Sequence, residues 1–214
     1  MSKKPTKTVP GITFFTKAAN LLILNFLCLI CCIPVLTIAD SLASLYSVML
    51  KIVRGDEDEV VKPFFRFFGK NFVKSIPYTI VMVVSFVLIL SGYIAFAYDD
   101  NMVAIGLLSG VVIIVITWFG WAIPLFAQFD NGFFAMMTNA MKLMVMNLRE
   151  SLIVLIMNSY MIVLFLVVPA VFVYVLYIWG FLGLAVTARV VCDQLVPVFD
   201  ELMNKSPEGE EDGE

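Results

Sequence analysis

Histidine is absent from the sequence, and with it goes the commonest general base of enzyme chemistry. Ser/His and Cys/His nucleophile pairs are excluded outright, and so is an HExxH zinc helix. The chain also lacks a GxxxxGK[ST] loop with which to hydrolyse ATP, and a Gly-rich dinucleotide fingerprint. Charge is scarce: only 14% of the residues are charged, where a soluble domain carries about a quarter. With 14 Lys and Arg against 17 Asp and Glu, the net charge of -3 is too small and of the wrong sign to argue for a nucleic-acid partner. The four cysteines, Cys28, Cys31, Cys32 and Cys192, lie in or beside apolar runs and give no disulfide framework. No histidine can complete a mixed zinc site with the first three, and a thiolate in lipid is costly, so they read as small packing residues. Neither a metal nor a cofactor is expected, and the chain reads as a non-enzyme.

What is present is hydrocarbon: 61% of the 214 residues are apolar, which predicts an all-α polytopic transmembrane bundle in a single domain, residues 1–203, followed by a disordered acidic tail at 204–214. Charge and proline divide the apolar material into about six segments, at 18–33, 35–53, 76–98, 102–126, 151–168 and 171–191. No small-residue cleavage site follows the first run, so it reads as a retained segment rather than a signal peptide. Pro34 breaks the first long stretch into two helices, which either cross separately or form a re-entrant hairpin. Between Ser151 and Val191 the chain must fold back, at Pro169 or at Trp179 and Gly180. Pro169 is preferred, because the later turn would leave Arg189 in mid-bilayer at about 3 kcal/mol or more.

Under six segments every Lys and Arg falls on one side, and the acidic turn of Asp99, Asp100 and Asn101 falls on the other. Basic residues are retained inside, so the expectation is three hairpins in the cell membrane with both termini cytoplasmic. Two connectors on that side read as amphipathic helices. In the first, Lys62, Arg66, Lys70 and Lys74 recur every four residues among phenylalanines, which suits a helix in the headgroup layer or one that staples two hairpins. In the second, Met137, Met141 and Met144 form a stripe, either a docking surface or core packing. A faint echo links the two: residues 71–76 (NFVKSI) and 147–152 (NLRESL). Asp40 and Asp193 are the only intramembrane acids to consider, and both read as solvated residues at helix ends. Asn20, Asn25 and Asn158 must find partners within the bundle or line a polar cavity, and Ser41, Ser44 and Ser47 read as a packing stripe.

Residues 20–25 (NLLILN), 33–38 (IPVLTI), 51–55 (KIVRG) and 64–72 (FFRFFGKNF), with Leu45, Tyr46, Phe199 and Asp200, resemble the YesL-like family of bacterial integral membrane proteins of unknown function. Where such proteins usually carry Gly-Pro, this chain has Ala39 and Asp40, so the resemblance gives Asp40 no shared role. It implies a cell-membrane protein of Gram-positive type, commonly encoded beside binding-protein-dependent sugar importers and glycan-degrading enzymes. The shared Pro34, Thr37, Arg54 and Asn71 look architectural, and Asn25 belongs to the same motif. The expected partners are the lipid bilayer and permease subunits of a sugar ABC importer. The expected role is that of a non-catalytic accessory or regulatory protein, the alternative being a small-solute carrier or channel.

Overall fold

The computed structural model describes residues 10–56, 59–99 and 101–205. The chain forms α1 (Pro10–Cys31), a short 3-10 turn (Val35–Thr37), α2 (Ile38–Arg54), α3 (Val61–Tyr98), α4 (Met102–Gln128), α5 (Phe133–Met146), α6 (Leu148–Val167) and α7 (Pro169–Lys205), with no strand among the described residues. It is an all-α bundle.

The joints follow from local chemistry. Pro34 starts the 3-10 turn, and the Thr37 hydroxyl, 2.6 Å from both the Cys31 and Pro34 carbonyls, satisfies backbone that the break leaves open. Gly55 ends α2 in the left-handed region (φ 80), where its N–H donates to the Ile52 carbonyl and that of Asp56 donates to Lys51. Only glycine adopts that conformation without strain. Asn101 caps α4 by accepting from the Ala104 N–H. The chain reverses at Val168 and Pro169, as expected from the placement of Arg189, and Trp179 and Gly180 lie within α7.

Five helical stretches, rather than six, are long and apolar enough to cross a membrane: Val35–Arg54, Val61–Tyr98, Met102–Gln128, Leu148–Val167 and Val171–Asn204. The apolar part of α1, Thr16–Cys31, is shorter. The expected helix over Lys62 to Lys74 is not a separate element lying across the headgroups. It is the first part of α3, which runs on through Pro77 to Tyr98. Pro63 sits in the first turn, where its missing N–H costs nothing, and Pro77 costs a single hydrogen bond that packing of α3 on α2 and α4 outweighs. By the same logic α7 continues through Pro197 to Lys205, past the expected tail boundary at 204. Lys3, Lys4, Lys7 and tail residues 206–214 lie outside the described residues.

α2 is the centre of the bundle, packed against α1, α3, α4 and α7. Its Leu45, Val48, Met49 and Leu50 meet a core that includes Phe64, Tyr78, Trp121, Leu195 and Phe199. Beyond this core the other helices turn apolar side chains outward: Val84, Phe86 and Ile94 on α3, Leu107 and Val111 on α4, Val163 and Phe165 on α6, Tyr174 and Ile178 on α7. The stretch of α3 from Ile80 to Tyr98 rises about 27 Å, close to the hydrocarbon thickness of a bilayer.

Candidate functional site at the charged end

Polar side chains converge where α2, α4 and α7 end together. Arg54, in the last turn of α2, donates from Nη1 to Gln128 Oε1 and from Nη2 to Asp200 Oδ1, each at 2.8 Å. One guanidinium thus joins three helices, with its fork used in both directions. Lys74 of α3 bonds Asp130 in the α4–α5 loop. That hydrogen bond, then the charges of Lys74 and Lys70, hold the Asp130 carboxyl below its ordinary range.

Between these pairs lies a cleft of about 230 Å³, lined by Ser47 and Lys51 of α2, Arg66, Lys70 and Asn71 of α3, and Phe126 to Asp130 at the end of α4 and in the loop after it. Arg66 and Lys70, four apart, share one face of α3. A second cavity of about 360 Å³ adjoins it, lined by Lys74, Pro77, Tyr78, Phe126, Asp130 and Phe133. Tyr78 stacks on Phe126 (4.6 Å between centroids) and meets Phe133 edge-on (4.8 Å).

α5 flanks this end. It buries Met136, Met137, Ala140 and Leu143, and its Met137 carbonyl accepts from Trp118 Nε1. The methionine stripe is therefore divided: Met137 is core, Met144 is half-buried against it, and Met141 is exposed.

The other residues singled out from the sequence hold the frame. Asn25, fully buried, donates to the Gly180 carbonyl (2.7 Å) and accepts from the Ala185 N–H (3.1 Å), so its amide is let into the backbone ladder of α7. It lines no cavity named here. Asn71 bonds the Phe67 carbonyl of its own helix, and Asn147 does the same to Leu143, so both halves of the sequence echo use the asparagine alike. Lys62 pairs with Glu59 and does not line the cleft, unlike Arg66 and Lys70. Asp193 is half-exposed, but it lies within α7 rather than at a helix end, where it pairs with Arg189 one turn before it. Asp40 is not solvated at a helix end. It lies in the first turn of α2 but is fully buried, and neither carboxylate oxygen has a hydrogen-bond partner among the described residues. Ser44, one turn on, is likewise buried without a partner among the described residues.

Residues 21–93 match the model of DUF624, a family of proteins of unknown function. No curated protein matches the chain, and no solved structure does. The matched stretch covers the Pro34 break, all of α2 and the cationic first half of α3.

Sequence reasoning missed Lys51, Gln128, Asp130 and Tyr78. A signal was present for two of them: Gln128 and Asp130 end a long apolar run, and Asp130 is the only acid between Asn101 and Arg149. Lys51 entered only as part of the 51–55 motif and not as a site residue, because the other cations of its cleft lie on α3. Among the described residues, no group of three or more His, Cys, Asp or Glu is placed to hold a metal.

Proposed function

We propose that the protein is a non-catalytic accessory or regulatory protein of the bacterial cell membrane, YesL-like, that works against the permease subunits of a carbohydrate ABC importer, with α1, 22 residues long, as a sixth crossing beside the five long spans, so that its charged end and both termini lie in the cytoplasm. The observation that carries this reading is the outer side of α5. That helix is too short to cross a bilayer, and beside the cationic cleft it leaves Phe134 (83% exposed), Met141, Val145 and Met146 (78% exposed) uncovered. A largely apolar exposed side, broken by Thr138 and Lys142, suits an interaction surface, and methionine adapts to irregular partners. The sidedness is supported by Lys51, Arg54, Arg66, Lys70 and Lys74 gathering at one end, since cations are retained inside. The importer as partner comes from the family resemblance. A photo-crosslinker at Phe134, Val145 or Met146 in intact membranes is expected to capture a permease subunit; capture of lipid alone at all three positions overturns the reading.

A second reading, a small-solute carrier or channel, is favoured by Asp40 and Ser44, whose buried polar atoms could face a passing ion or solute. Asn25 lends it nothing, since α7 takes both ends of its amide. Flux of sugars or ions into proteoliposomes that disappears in Asp40→Asn would support this reading, and absence of flux in the wild type removes it.

A further inference from the structure

The cleft between α2, α3 and α4 carries more positive charge than the chain neutralises. Lys51, Arg66 and Lys70 line it, and none of the three is in an ion pair among the described residues. Asp130, the carboxylate in the lining, is engaged by Lys74. A concave wall of one sign concentrates ions of the other, and a guanidinium fork with two ammonium groups matches the oxygens of a phosphate. Phe126 and Asp130 also line the adjoining cavity, so the two spaces are neighbours. That second space is mostly apolar, walled by Pro77, Phe126 and Phe133, yet the hydroxyl of buried Tyr78 has no partner among the described residues. A buried phenol nearly always finds a hydrogen-bond partner, so an unpaired one on a residue of the cavity wall points to a ligand oxygen that a small turn of the ring would meet.

We propose that this pair of cavities binds a phosphate ester. The phosphate sits against Lys51, Arg66 and Lys70, and the organic part enters the apolar space, where its first oxygen meets Tyr78. The second cavity, about 360 Å³, admits a glycerol unit and the beginning of a chain. A membrane-derived ligand would therefore leave most of its acyl length in the bilayer. An anionic phospholipid and a free phosphate ester share this chemistry.

The test titrates full-length protein in neutral detergent with phosphatidylglycerol, glycerol 3-phosphate and, as control, phosphatidylcholine, reading the thermal midpoint and ligand adducts by native mass spectrometry. At least one of the two net-anionic probes raises the midpoint and gives an adduct where phosphatidylcholine, whose phosphate is offset by its own quaternary ammonium, does not. The triple variant Lys51→Gln, Arg66→Gln, Lys70→Gln weakens that binding by about tenfold or more. Lys62→Gln with Lys142→Gln, exposed cations outside the cleft, leaves binding unchanged. Tyr78→Phe, which keeps the ring and removes the hydroxyl, weakens binding several-fold. Response to phosphatidylglycerol alone assigns a lipid, and an equal response to glycerol 3-phosphate assigns a soluble ester; both uphold the site. Wild-type affinity in the triple variant, or equal loss in the Lys62 and Lys142 control, overturns it. Should the triple variant fail to fold, unchanged binding in Tyr78→Phe overturns it.

Discussion

Two apolar helices of this bundle live in different solvents. Of the most apolar stretch of α3 none is buried within the protein, whereas 61% of the corresponding stretch of α2 is. Most of Ile80 to Tyr98 therefore presents its side chains to lipid, apart from residues such as Val81, Met82 and Tyr93 that meet the bundle, and α2 presents its own to α1, α3, α4 and α7. The difference shows where stability resides. In the lipid-facing half, exchanging one hydrocarbon neighbour for another gains little, because lipid tails are as apolar as leucine. Around α2, shape and hydrogen bonds decide, since every atom there meets protein.

The sharpest way to break that contrast is to truncate one aromatic in each half. Trp121 is fully buried and donates from Nε1 to Ser151 Oγ, which in turn donates to the Met144 carbonyl. Trp121→Ala is expected to cost about 3–5 kcal/mol. Phe86→Ala, at a position 66% exposed, should leave stability in lipid-like detergent within about 0.5 kcal/mol. Reversible unfolding in mixed micelles measures both, and comparable losses would erase the distinction.

Second in size is the loss of Arg54, whose two hydrogen bonds tie the ends of α2, α4 and α7. Arg54→Met is expected to cost about 1.5–3 kcal/mol, the scale of hydrogen bonds to a charged group, discounted towards the lower figure because Asp200 is half-exposed. The same unfolding assay reads it.

Glycines sharpen the comparison further. A methyl on Gly120 would come within 2.4 Å of the buried Val154 side chain, while one on Gly110 would meet nothing within 4 Å. Gly120→Ala should destabilise by about 1–3 kcal/mol through overpacking, whereas Gly110→Ala should be neutral or stabilise by up to about 1 kcal/mol through helix propensity. Equal effects in thermal melts would show that α4 packs alike along its length.

The smallest effect is expected at the exposed Lys74–Asp130 pair. The Asp130 carboxyl is depressed in the folded protein, so its contribution is fully present above the ordinary carboxylate value and is lost as pH falls through the lower folded one. Asp130→Asn should therefore differ slightly from wild type at neutral pH and converge with it in strong acid, measured as melting midpoint against pH. Added salt should narrow the gap.

Hydropathy and proline made the bundle legible in outline. The break at Pro34 and the reversal at Pro169 stand where composition placed them, and the methionine-rich connector expected over Phe133 to Arg149 is a helix that ends at Met146. Pro77 and Pro197 were harder to read, because a proline ends a helix only when nothing else holds the two sides in line, and here both sides pack on neighbours. Burial of α2 was not legible, since period and apolarity are the same whether lipid or protein lies outside. Asp40 shows the consequence: its neighbours in sequence suggested water, and the fold enclosed it. Half of the cleft, Arg66 and Lys70, was visible as a helical repeat. Lys51 and Asp130 join it only through tertiary approach.

Asn25 and Arg54 both complete their bonding with the last helix, 155 and 146 residues downstream. A ribosome that has not yet delivered α7 has therefore released an amide without its α7 partners and a guanidinium that can hold only Gln128 of α4. Biogenesis must leave the opening helices loosely parked until translation is nearly over, and a nascent chain stalled before Gly180 is a natural substrate for membrane quality control.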